Sequence, residues 1–244
     1  MNSTIWTITL IISRQRADTQ QHFQTYQIEI NPDEYVLDAL EKVWAFHDRS
    51  LTFRHACHHS TCGACGMLVN GVEKLTCITP IQSVSQNNGE ILIEPLRNFP
   101  VLSDLVVDTS SMFKSLEKIG FDQVASLSEA CLPYERNLPE HESPEYQRLV
   151  DCIECGMCIS ACPISRTDNN YVGPAILAAA HHASSQSLSN NILEIVDSRD
   201  GLWRCHSAFE CSAVCPSNVE PGWRIMKMRQ EVIAHRIKKL FSHG

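Results

Sequence analysis

The chain has 244 residues, 43% of them hydrophobic and 20% charged, with a formal net charge of −8. That length suits two modest domains, no apolar run is long enough to cross a bilayer, and the acidic balance argues against a general nucleic-acid binder, which needs a basic surface. The outlying number is twelve cysteines: no basic segment precedes the short apolar stretch at the N-terminus, so that stretch reads as a strand rather than a signal peptide, and thiols in a reducing compartment that fall in tight groups point to metal rather than disulfides.

In chain order, residues 3–12 and 22–30 alternate well enough to predict a two-stranded hairpin. After Asn31 and Pro32, the segment YVLDALEKVWAFH predicts a helix with Leu37, Leu40, Val43, Trp44 and His47 on one face, and Asp33 and Glu34 suited to its first turn. A cysteine-rich loop follows. Asn70-Gly71 within MLVNGVEKL is a strong hairpin signal because both turn residues take positive φ readily, and ILIEPL (91–96) supplies a further strand. Strands around one helix predict an α+β domain over residues 1–102.

Beyond Pro100 the remaining segments read as helices and predict a second, helical domain over 103–244. Residues 103–120 have helical spacing and a glycine stop; Ser143-Pro144 opens another helix. Gly173-Pro174 starts a third, and WRIMKMRQEVIAHRIKKLF forms the last. Residues 121–142, with two prolines, read as a loop. The last 24 residues hold six of the twenty Lys and Arg, opposed only by Glu231. Their helix carries Ile225, Met228 and Val232 on one side, expected to pack on its own domain, with anionic lipid as the alternative contact.

Eleven of the twelve cysteines fall in three groups. The first, Cys57, Cys62, Cys65 and then Cys77, has the C-x4-C-x2-C spacing and distant fourth thiol of a plant-type [2Fe–2S] centre. Gly63 and Gly66 let the backbone curl around inorganic sulfide with its N–H groups inward. Structural zinc would prefer two C-x2-C knuckles. Four thiolates already fill the coordination, so His58 and His59 are expected as exposed loop residues rather than Rieske-type ligands.

The second group, Cys152, Cys155, Cys158 and Cys162 followed by Pro163, is a full bacterial ferredoxin run, in which the fourth cysteine ligates the other cluster. Cys152, Cys155 and Cys158 therefore join Cys215 on a [4Fe–4S] centre. Cys162, Cys205 and Cys211 remain, and Ala208 stands where a fourth thiol would be. Three ligands on a cubane framework predict a [3Fe–4S] centre; a labile fourth iron held by water is the alternative. Cys131 lies outside every motif and reads as an inert buried thiol.

These clusters in this order, with CGACGMLVNG, LTCITP, RNFPVLSDLVVD, CIECGMCISACP, YVGPA and WRCHSAFECSAVCP, resemble the iron–sulfur subunit of succinate dehydrogenase and fumarate reductase, the respiratory complex II family, along nearly the whole chain. The resemblance implies an α+β fold: a plant-ferredoxin-like (β-grasp) domain followed by an all-helical bacterial-ferredoxin-like domain. It implies an electron-transfer subunit without bond chemistry of its own, passing electrons between the FAD of a flavoprotein subunit and a quinone at one or more membrane anchor subunits that can carry haem b. It also implies peripheral attachment on the cytoplasmic side of the inner membrane, with no nucleic-acid partner. Pro163, His206, Ala208 and Arg229 match positions near the quinone, although His206 could instead tune the cluster beside it.

Two departures stand out. PISRTDNN after Cys162 lacks the tryptophan that contacts ubiquinone in many members, which leaves menaquinone open, and His58 follows Cys57 where arginine is usual. Besides succinate:quinone oxidoreductase, three readings compete: the reverse quinol:fumarate reductase, a soluble ferredoxin-like carrier, and a subunit of a thiol-dependent fumarate reductase or heterodisulfide-reductase-like enzyme. Relatives of the last kind tend to add cysteine-rich modules after the position of Cys215, and here the sequence ends soon after it.

Overall fold

A computed structural model describes residues 5–16, 19–119, 152–184 and 190–242. The predicted helix at Ser143, the loop 121–142 and Cys131 lie outside them. The chain divides into two compact units: residues 1–109 with 153–161, and residues 110–152 with 162–244.

The first unit is built on a five-stranded mixed sheet. β1 (Trp6–Arg14) and β2 (His22–Ile30) form the predicted antiparallel hairpin, in register from Trp6 opposite Ile30 to Arg14 opposite His22. β3 (Gly66–Val69) and β4 (Val72–Leu75) turn at Asn70 and Gly71, both at positive φ, 51° and 80°. β5 (Glu90–Glu94) runs parallel to β1 and antiparallel to β3, so the order is β2-β1-β5-β3-β4.

Helix α1 (Val36–Phe46) begins where the Asp38 carboxylate accepts the Tyr35 N–H at 2.8 Å, satisfying one of the donors a helix start leaves open. It buries Val36, Leu37, Ala39, Leu40 and Val43, and most of these meet Ile8, Leu10, Ile12, Ile91 and Ile93 of the sheet. Trp44 and His47 were expected on that face, but both are exposed. The Trp44 ring lies under the Arg49 guanidinium at 4.1 Å instead.

The expected helix over 103–120 is only partly present. β6 (Val101–Ser103) and β7 (Val106–Val107) form a small hairpin, and helix α2 starts at Ser110 and runs to Lys118. The cause is Asp104. It is 1% exposed, and its carboxylate accepts the Arg14 side chain at 3.1 Å and the main-chain N–H groups of Gln15 and Thr52. Arg14, itself buried, also meets Asp48 at 2.5 Å, and the guanidinium helps hold that carboxyl well below the usual range after the larger effect of Ser50. This knot ties the end of β1 to residues 48–52, from which the chain runs straight into the first cysteine loop.

The second unit is helical apart from its loops. α4 (Pro163–Thr167), α5 (Pro174–Ser184), α6 (Asn190–Val196), α7 (Glu210–Ala213) and α8 (Pro221–Ser242) follow α2, while the short α3 (Met157–Ser160) belongs to the first unit. Ile225, Met228 and Val232 of α8 are fully buried, as expected for packing on its own unit. Among the described residues no helix is long and apolar enough to cross a membrane.

Candidate metal centres

In the first loop His58, Ser60 and Gly63 take left-handed φ of 59°, 59° and 69°. Alternation of this kind turns successive main-chain N–H groups to one side, a concavity suited to anionic sulfur. The N–H groups of His59 and Thr61 reach Cys57 Sγ at 3.5 and 3.3 Å. These contacts, led by His59, bring the Cys57 thiol down to about 6, whereas burial pushes Cys77 up to about 11 with Cys65 adding to the rise. Thr76 closes the return: its N–H and hydroxyl both donate to the Cys65 carbonyl, at 3.2 and 3.1 Å. Cys65 and Cys77 are thus buried, Cys57 half-buried and Cys62 exposed. Four thiols with inward N–H donors fit a [2Fe–2S] group with one edge near solvent.

Gly63 is where side-chain-free backbone is required. A Cβ there would stand 2.7 Å from the Ile153 carbonyl and 2.8 Å from Cys155 Cβ. The first loop therefore lies directly against the start of the next cysteine run. In that run Glu154 and Gly156 have φ of 52° and 76°, and Gly156 opens α3, which carries Cys158. Asn98 donates to the carbonyls of Ile159 and Ser160 at 2.7 and 3.0 Å, and the Ser160 hydroxyl donates to Glu73 at 2.7 Å. In the second unit, Cys152 and Cys215 both pack against Ala178 and Val219, and Cys215 Sγ accepts the Val219 N–H at 3.3 Å.

Within the second unit the third run gathers tightly. Cys162, Cys205 and Cys211 line one pocket, together with Pro163, His206 and Ala208. Cys162 and Cys211 are buried, and burial pushes the Cys211 thiol up to about 11, with Cys162 and Cys205 adding to the rise. Arg229 is not part of that lining. Its guanidinium donates to the main-chain carbonyls of Leu202, at 2.6 and 3.0 Å, and of Cys205, bracing the loop from α8. The Ser207 N–H points at Cys205 Sγ at 3.4 Å. Three thiols, an alanine at the fourth position and inward N–H groups fit a three-iron group.

Two wall residues of this pocket carry no cysteine signal. Tyr171 is 7% exposed, and its hydroxyl is pushed far up by burial and by the thiols of Cys205 and Cys162. Phe209 has φ of 62°, and its ring covers Gly222, where a Cβ would lie 2.8 Å from Phe209 Cδ1. Tyr171 stands in the YVGPA string, but nothing local ties it to a cysteine 34 positions later. Phe209 could have been found by laying the third run over the second, which puts it opposite Gly156.

Residues 9–114 match a 2Fe-2S iron-sulfur cluster binding domain and residues 148–219 a 4Fe-4S dicluster domain. The chain is 31% identical over 238 residues to the fumarate reductase iron-sulfur subunit of Mycobacterium tuberculosis, covering 96% of each. It is 30% identical to the same-named subunit of Haemophilus influenzae over 94% of each. Among solved structures, a chain of the Mycobacterium smegmatis Sdh1 complex in the apo form aligns with a TM-score of 0.79 at 25% identity, covering 96% of this chain and 98% of that one.

Proposed function

Because the chain belongs to the iron–sulfur subunit family of succinate dehydrogenase and fumarate reductase, we propose that it relays electrons between the FAD of a flavoprotein subunit and a quinone at a membrane anchor. It is a non-catalytic subunit of an oxidoreductase complex. Each cluster supplies a one-electron redox step when bound; the protein supplies ligands, N–H donors and burial. In this reading Cys57, Cys62, Cys65 and Cys77 hold the [2Fe–2S] group in a β-grasp domain, a reading supported by the strand order β2-β1-β5-β3-β4 with one helix across it. Cys152, Cys155, Cys158 and Cys215 hold [4Fe–4S], and Cys162, Cys205 and Cys211 hold [3Fe–4S], in a bacterial-ferredoxin-like domain.

The observation that carries the proposal is the pocket lined by Cys162, Cys205, Cys211 and Ala208. It offers three thiols and a methyl group where a four-iron site would need a fourth thiol. Pro163 and His206 on the same wall are the positions for a quinone, and Arg229 serves them by holding the loop. Attachment is peripheral, on the cytoplasmic side of the inner membrane. A second reading, quinol to fumarate, is favoured by the names of the two curated relatives above.

The test is Ala208→Cys in the assembled complex. Oxidised wild type should give a three-iron electron paramagnetic resonance signal, and the variant should lose it and gain a four-iron signal on reduction. Wild type without the three-iron signal would sink the assignment.

A further inference from the structure

The first unit holds a second set of ligand-type side chains that the iron–sulfur motifs do not use. His55 Nδ1 and His58 Nε2 face each other at 3.1 Å, and one oxygen of Glu41, on α1, lies 3.4 Å from each. The three donor atoms thus form a nearly equilateral triangle. A zinc ion about 2.0–2.1 Å from imidazole nitrogen and carboxylate oxygen, with tetrahedral angles, needs donors about 3.3–3.4 Å apart. One proton can link the two rings. It leaves the carboxylate oxygen beyond the roughly 2.7–2.9 Å of a charge-assisted hydrogen bond to either nitrogen, yet at the spacing of a shared ion.

The donors are also held in place. Phe53 stacks on the His55 ring, centroids 5.4 Å apart at 27°. His58 takes a left-handed φ of 59°, which brings its ring edge-on to His55, and the backbone of Glu41 is fixed by its position in the middle of α1. All three side chains are partly exposed, between 35% and 45%, so a fourth position is open to water.

We propose that Glu41, His55 and His58 form a binding site for a first-row divalent transition-metal ion, with Zn²⁺ the best match. Two imidazoles and a carboxylate with an open position is a known zinc donor set, and magnesium or calcium would call for more oxygen ligands. The ion would sit one residue from Cys57, outside the four-thiol loop. This site does not depend on the electron-relay reading, since its ligands are separate from every cluster cysteine.

The test uses the protein purified with its iron–sulfur groups intact and titrated with Zn²⁺ and, separately, Co²⁺. Wild type should bind one Zn²⁺ per chain beyond its iron, and Glu41→Gln and His55→Ala should each weaken that binding at least about ten-fold, since loss of even an outer-shell partner costs about 10–100-fold. His59→Ala, in the same loop but outside the triangle, should bind as wild type does. Bound Co²⁺ should show visible bands of nitrogen and oxygen ligation without a thiolate charge-transfer band. The proposal falls if wild type takes up no saturable Zn²⁺, if both variants bind it as tightly as wild type, or if a thiolate band appears.

Discussion

Glu154 and Gly156 take left-handed φ of 52° and 76° in one cysteine run, and Ser207 and Phe209 take 59° and 62° at the matching positions of the other. Each run then enters a four-residue helix, Met157–Ser160 and Glu210–Ala213, whose next residue donates its N–H back into the turn. The loop shape therefore survives replacement of one thiol by the Ala208 methyl. It also survives a bulky aromatic residue in a backbone state where glycine is at ease and phenylalanine is an outlier. Ligand number and loop shape are separable: shape comes from alternating backbone conformations and bracing contacts, and in the proposed assignment the number of irons held follows from which positions carry sulfur.

The braces differ between the runs, and that is where the comparison can be broken. The run from Cys152 to Cys162 lies against Gly63 and is gripped by Asn98; the run from Cys205 to Cys215 is held from α8 by Arg229. Gly63→Ala should have the largest effect, because it sets a Cβ against main chain and places a side chain at φ 69°. A loss of about 2–4 kcal/mol is expected, read as a drop in Tm of roughly 10 °C. The [2Fe–2S] absorption should weaken while the three-iron signal persists. If the three-iron signal is lost first, the loops are not braced separately.

Arg229→Met removes the donors to the Leu202 and Cys205 carbonyls, and Asn98→Ala those to Ile159 and Ser160. Losing a charged donor and leaving its carbonyl acceptors unpaired costs about 1–3 kcal/mol, and losing a neutral amide donor nearer 1. Arg229→Met should broaden or lose the three-iron signal and spare [2Fe–2S]; Asn98→Ala should leave the three-iron signal alone. Equal loss of all signals in either variant would mean general unfolding rather than local bracing.

Legibility in the sequence followed the range of the interaction. The cysteine spacings, the Asn70-Gly71 turn and the hairpin of β1 and β2 are local patterns, and each could be read directly. Residues 103–109 could not, because what draws Asp104 into the interior is Arg14, ninety positions away. Their apolar spacing, taken alone, suits a helix. Trp44 was misplaced for a related reason: periodicity finds the stripe but not its edges, and at the edge the ring stays exposed with the Arg49 guanidinium over one face. Tyr171 and Phe209 form part of a pocket assembled from segments on α4, α5, α7, α8 and the loops between them, which no single window of sequence spans.

The smallest predicted effect is the sharpest test of the shared backbone. Phe209→Gly relieves a left-handed conformation but gives up a ring only partly buried, 43% exposed, and adds unfolded-chain freedom, so its net change should stay within about 1 kcal/mol. Phe209→Ala gives up the same ring while keeping the strain. The alanine variant should therefore be less stable than the glycine variant by about 1 kcal/mol, the cost of placing a Cβ at positive φ. Gly156→Ala in the other run imposes that same cost from the opposite direction. Denaturant unfolding of the three variants should return two matching differences, one from each run. An alanine at 209 as stable as glycine, with a penalty remaining at 156, would show that the two runs do not share a backbone and that Ala208 does not stand in the place of Cys155.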